Sequence, residues 1–152
     1  KKLVLGSSAA YIDPEKTSSL TKWIDLAKAH DAVGLYRCFA EKLYPGPVYE
    51  MLEGTLIQAA QSVSAEELDR FIILAQAAEG FDGRKDLAKI ACPVLVIGSR
   101  DDEVLGAQSS LEIAKILADH PDCECFMYEG YGHACFDTAP DYRERLMAFY
   151  LK

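Results

Sequence analysis

Apolar positions along this chain change texture twice. Leu3-Val-Leu-Gly6 is a short apolar run closed by Gly-Ser-Ser, the pattern of a buried strand. Asp13-Pro14 then breaks the backbone, because the residue before a proline avoids the helical region. From residue 17 to residue 79 the period is helical: Leu20, Trp23, Ile24 and Ala27 share one face, and so do Leu68, Phe71, Ile72 and Ala75. Ser64 followed by Glu67 has the form of a capping box, which satisfies two orphan N–H groups at a helix start. Tyr44-Pro-Gly-Pro47 interrupts the stretch, so three or four helices are expected rather than one.

At Phe81-Asp-Gly83 the texture reverts. Ile90-Ala-Cys-Pro93 leads into the β-branched run Val94-Leu-Val-Ile97, ended by Gly98. A helix follows, with Leu111, Ala114, Leu117 and Ala118 on one side. Cys125-Phe-Met-Tyr128 is a third strand, Glu129-Gly-Tyr-Gly132 a loop. Pro140 suits the first turn of a last helix in which Tyr142, Leu146, Phe149 and Tyr150 are periodic. Apolar strands separated by helices predict an α/β fold: three mainly parallel strands covered on both faces, with a helical insertion after the first.

Composition narrows the possibilities. The chain has 152 residues, half of them apolar, enough for one core or a small domain with an appendage. Its net charge of -8 repels phosphate backbones and anionic lipid, so neither nucleic acid nor a membrane surface is expected as a partner. No apolar run approaches the ~20 residues that span a bilayer, and no charged-then-apolar signal segment opens the chain. The first residue is Lys1 rather than Met, which suggests that something upstream was removed or never built. The five cysteines, Cys38, Cys92, Cys123, Cys125 and Cys135, form no C-x-x-C pair and no even framework, as suits reduced thiols in a cytoplasmic protein. Cys123-Glu124-Cys125 could be half of a metal site, or two packing thiols on one face of a strand.

In open α/β sheets functional groups gather past the carboxyl ends of the strands. Two such segments stand out, Gly98-Ser-Arg-Asp-Asp-Glu-Val-Leu105 and Gly130-Tyr-Gly-His-Ala134. One helix and one strand separate Asp102 from His133, so a parallel crossover makes their strands neighbours and brings both loops to one sheet edge. A carboxylate that accepts from one imidazole nitrogen fixes the tautomer and leaves the other nitrogen as a base.

These segments resemble a known family. Cys92-Pro-Val-Leu-Val-Ile-Gly-Ser-Arg-Asp-Asp-Glu-Val104 is similar to the acid-bearing strand of the α/β-hydrolase superfamily, and Glu129-Gly-Tyr-Gly-His133 to its histidine loop. The resemblance covers nearly the whole chain but only the family's C-terminal half. It implies half of an α/β-hydrolase fold, with residues 1–12 and 80–152 in the core and 13–79 as the helical cap. It also implies that Asp102 is the triad acid, with Asp101 as runner-up, and His133 the base. The implied reaction is hydrolysis of a small ester or related acyl substrate, with no metal or organic cofactor. An aspartate nucleophile, as in the family's dehalogenases, and C–C bond cleavage remain open.

The family's nucleophile elbow, G-x-S-x-G, does not occur in these residues. The nucleophile is therefore expected outside this chain, and the chain alone is expected to be inactive. The alternative is a non-enzymatic association module from a truncated or split gene. Half a parallel sheet leaves the first strand with an open edge, so a homodimer through that edge, or pairing with the N-terminal half, is expected.

Other residues carry two readings each. Ser7 and Ser8 could supply a nucleophile or only end a strand; Cys135 could be a thiol nucleophile or a buried packing group. His30 suits a helix end and His120 an exposed loop. Trp23, Tyr36 and Phe39 line a substrate pocket or simply pack helices. Gly6 and Gly98 mark close backbone approach or terminate strands.

Overall fold

The computed structural model describes residues 1–13 and 18–152, so the Pro14 side of the expected break lies outside the described residues. Among them the chain forms two compact units: residues 1–11 with 82–152, and residues 12–81.

The first unit is built on three parallel strands, β1 (Leu3–Gly6), β2 (Val94–Ser99) and β3 (Cys123–Tyr128), in that spatial order. Leu3 lies beside Val94 and Val94 beside Cys123; at the other end Gly6 lies beside Ile97 and Ile97 beside Phe126. Alternation along the strands then fills two separate cores. Leu95, Ile97 and Tyr128 pack with Val4 and Phe126 against Tyr142 and Phe149 of α8 (Tyr142–Leu151). Val94 and Val96 pack with Leu3 and Leu5 against Ile113 of α6 (Ala107–Ile116), beside Leu117. With both faces covered, β2 is buried along its entire length.

Among the described residues the second unit holds four helices: α1 (Ser18–Lys28), α2 (Ala32–Leu43), α3 (Gly46–Ala60) and α4 (Ala65–Ala78). The break between α2 and α3 falls at Tyr44-Pro45, and Pro47 opens α3 where no amide donor is needed. The capping box at α4 is complete: the Ser64 amide donates to Glu67 Oε2 at 2.8 Å, and the Glu67 amide to Ser64 Oγ at 3.2 Å.

Several local expectations are corrected. β1 is half-buried rather than buried, because it pairs on one side only among the described residues. β2 runs through Gly98 to Ser99, so Gly98 does not end it. A Cβ there would stand 2.7 Å from Ser110 Oγ; close approach of α6 to the strand is what the glycine permits. Likewise a Cβ on Gly6 would meet the Tyr142 hydroxyl at 2.6 Å. β3 begins at Cys123, and its polar start hides it from a search for apolar runs. The buried face of α6 is Ser110 and Ile113, with Leu117 as C-cap; Ala118 lies past the helix and is exposed.

Pro140 precedes the N-cap of α8 instead of sitting in its first turn. The N-cap Asp141 accepts from the Tyr128 hydroxyl at 2.8 Å and pairs with Arg145 at 2.7 Å, tying the helix to the end of β3. Burial, and then the Asp141 carboxylate, push the Tyr128 hydroxyl well above its ordinary pKa. Tyr150 is exposed. Two four-residue helices, α5 (Arg84–Leu87) and α7 (Cys135–Thr138), are too short for periodicity to reveal. Among the described residues no helix is long and apolar enough to cross a membrane.

Gly98→Ala is expected to destabilise the chain by about 1–3 kcal/mol, the usual cost of overpacking a fully packed site. Urea denaturation measures it, and Ser110→Ala in the same chain should recover part of the loss.

Candidate active site at the carboxyl ends of β2 and β3

β2 and β3 end level, with Ser99 beside Tyr128, and the Arg100 amide adds one rung by donating to Tyr128 O at 2.8 Å. The two following loops therefore leave from adjacent points. In the first, Asp102 folds back on its own turn: Oδ1 accepts from the amides of Val104 at 2.8 Å and Leu105 at 2.9 Å. This is the local bonding that makes aspartate a turn former. It uses one oxygen and leaves Oδ2 for His133, whose Nδ1 lies 2.8 Å away.

The histidine loop takes a shape only glycine adopts without strain at two points, with φ of 81° at Gly130 and 65° at Gly132. Its backbone is held from below. Asp101 Oδ2 accepts from the Gly130 amide, and the Arg100 guanidinium pairs with Glu129 at 3.4 Å. Asp101 is thus separated from Asp102 by role: it ties the two loops together, while Asp102 meets the imidazole. The glycine pair was visible in the sequence, but the Asp101 contact to a backbone amide across the loops carries no spacing signal.

Asp102 is nearly closed off, with 3% of its side-chain surface exposed against 16% for His133. Burial alone would raise the Asp102 pKa. The hydrogen bond and charge of His133, with the Leu105 and Val104 amides, outweigh it and hold the carboxyl below its usual range. An ionised carboxylate can only accept, so Nδ1 carries the proton and Nε2 is free to take one.

The remaining candidates are placed as follows. Ser7 Oγ donates to the carbonyl oxygen of His133 at 2.7 Å, and Ser8 Oγ to that of Gly6 at 2.9 Å. Cys135 is fully buried, and burial pushes its thiol up, which suits packing better than nucleophilic attack. Cys123 packs into the α6-side core while Cys125 is exposed. His30 is exposed in the turn after α1. His120 is half-buried instead of exposed, since its Nδ1 accepts from the Asp122 amide at 3.1 Å. In the helical unit Trp23 is buried edge-on against Phe39, centroids 5.5 Å apart, and Tyr36 is half-buried.

No family model matches the chain, and no curated protein sequence does either. Solved structures do. An alpha/beta hydrolase enzyme from a Medee basin deep-sea metagenome library superposes with a TM-score of 0.86 at 23% identity, covering 100% of this chain and 56% of that one. A bromoperoxidase from Bacillus anthracis gives a TM-score of 0.79 at 17% identity, over 100% and 58%. An enol-lactonase from Burkholderia xenovorans gives 0.81 at 15%, over 100% and 56%. The chain has the α/β-hydrolase fold and spans a little over half the length of these structures, in keeping with the half that its motifs resemble.

The depressed Asp102 pKa sets a sign. Stability from the ionised carboxylate is fully present above the ordinary aspartate pKa of about 3.9, and it is lost as pH falls through the lower folded value. The urea midpoints of the parent chain and Asp102→Asn should differ by a constant amount above about pH 5 and converge in acid.

Proposed function

We propose that Asp102 and His133 are the acid and base of a Ser-His-Asp triad that hydrolyses a small ester or related acyl substrate. The serine comes from sequence beyond these residues, and this chain alone does not turn over substrate. One observation carries the reading: Asp102 Oδ2 engages His133 Nδ1 at 2.8 Å, at the adjoining ends of two parallel strands. In that role Nε2 takes the serine proton as the hydroxyl attacks the carbonyl. Asp102 steadies the imidazolium, and His133 then gives the proton to the leaving alkoxide. The helical insertion between β1 and β2 is read as the cap, setting substrate choice. Five free cysteines fit a cytoplasmic setting.

The test is turnover of p-nitrophenyl acetate by the complete gene product, beside the 152-residue chain. His133→Ala should abolish turnover, and Asp102→Asn should lower kcat on the order of 10⁴-fold, because the amide selects the wrong tautomer. Full activity in either variant overturns the reading.

A second reading concerns association. β1 pairs only with β2 among the described residues, and all four of its residues are half-buried. Such an open edge accepts another strand, either from a second copy across a two-fold axis or from the N-terminal half of the same enzyme. Sedimentation velocity of the isolated chain should show a dimer or larger species; a monomer across the accessible concentration range counts against it.

A further inference from the structure

We propose that Ser7 is a positioning residue for His133, fixing the backbone from which the imidazole hangs. The inference deepens the reading of His133 as a base and rests on it. Ser7 is the first residue past β1, and its φ is 42°, a region that residues other than glycine seldom enter. Such outliers persist only where the surroundings over-determine them, and they gather at functional sites.

The consequence of that φ follows from the alternation of β1. Leu3 and Leu5 face α6, while Val4 and the Gly6 position face α8. An extended continuation would send Ser7 to the α6 face. Instead its hydroxyl lies 3.6 Å from Cys135 Sγ, a member of the α8-face core, and donates to His133 O at 2.7 Å. Its amide meanwhile donates to Ile97 O at 2.8 Å, one further rung between β1 and β2. The backbone is thus anchored to the sheet while the side chain crosses to the opposite face. Ser7 is only 8% exposed, so water competes little for the bond.

The loop that receives this bond contains Gly130 and Gly132 and is soft by composition. Asp102 holds one end of the histidine, its Nδ1, and Ser7 holds the other, its carbonyl oxygen. On the far side Ala134 is held as the N-cap of α7, its carbonyl accepting from the Asp137 amide at 2.9 Å; without the Ser7 hydroxyl the His133 carbonyl loses its side-chain donor, and the aim of Nε2 loosens. Misplacement by about 1 Å can cost 10²-fold in rate.

The test has two arms. In the isolated chain, proton NMR reads the His133 Nδ1–H, shifted downfield and slowed in exchange by Asp102. Ser7→Gly, which accepts the positive φ but lacks the hydroxyl, should broaden or abolish that resonance. Ser7→Ala should do the same while also losing stability, and Ser8→Ala should leave the signal unchanged. In the complete gene product Ser7→Gly should lower kcat about 10- to 100-fold with little change in KM. An intact resonance in folded Ser7→Gly overturns the proposal. So does a loss in Ser7→Ala alone, which assigns the effect to backbone strain, and so does absence of the resonance from the parent chain. Failure of the base reading shows separately, as ester turnover that survives His133→Ala while the resonance still depends on Ser7.

Discussion

Two neighbouring parallel strands end at the same level, and the candidate site depends on that register. With Ser99 beside Tyr128, the loops after β2 and β3 begin side by side, each already committed to one direction by the sheet beneath it. Three residues later on one strand and five on the other, a carboxylate and an imidazole meet. Slipping the register by one residue would exchange the faces of every side chain on β3. It would take Tyr128 out of the α8-side core and His133 away from Asp102. The apolar alternation that buries β2 on both faces therefore also places the chemistry.

The sheet supplies direction, and hydrogen bonds supply stiffness. A histidine loop with two glycines in left-handed backbone costs entropy to order, and polar contacts from all three strand ends offset that cost. β1 gives Ser7 to the His133 carbonyl; β2 gives Asp101 to the Gly130 amide and Asp102 to the imidazole; β3 leads directly into the loop. The two adjacent aspartates divide the work cleanly. Asp101 is exposed and bonds to backbone, whereas Asp102 is buried and spends one oxygen on its own turn before offering the other. The hydrogen bond and charge of His133, with a smaller part from the two amides, outweigh the penalty of burial and hold the carboxyl below its usual range.

Much of this was legible from local pattern, and the reasons differ by element. β1 is a clean apolar run, and α4 announces itself by a capping box. β3 extends two residues further back than its apolar run, through Glu124 to Cys123, because the exposed Glu124 interrupts the apolar pattern without ending the strand. α5 and α7 have four residues each, about one turn, so no period exists to detect. On α6 the expected Ala114 and Leu117 do pack into the core, but the face is turned toward Ile113 and Ser110, a polar residue buried where the helix presses on Gly98. Within the site, Asp102 and His133 were visible as types in the right loops. The preference for Asp102 over Asp101 comes from the family resemblance; what separates the two physically is the contact, because neighbouring positions on a turn differ in where they aim. Ser7 was visible as a serine after a strand; its bond to a carbonyl 126 residues away was not, since no sequence spacing encodes a long-range contact to backbone.

The pair can be complete on a chain that spans half of its structural neighbours because its geometry is local to one unit. All of its supports lie within residues 1–11 and 82–152. The helical insertion interrupts that unit between β1 and β2, yet the chain leaves and returns at one place. Tyr11 bridges Asp82 in antiparallel fashion, Arg84 lies over the Tyr11 ring at 4.1 Å, and the Ile12 amide donates to Phe81 O at 2.9 Å. An insertion whose ends are joined imposes little on the register of the strands it separates, and lengthening it adds only slowly to the entropy of closing the loop. The helices are thus free to diversify while the Asp102–His133 contact stays fixed by β1, β2 and β3.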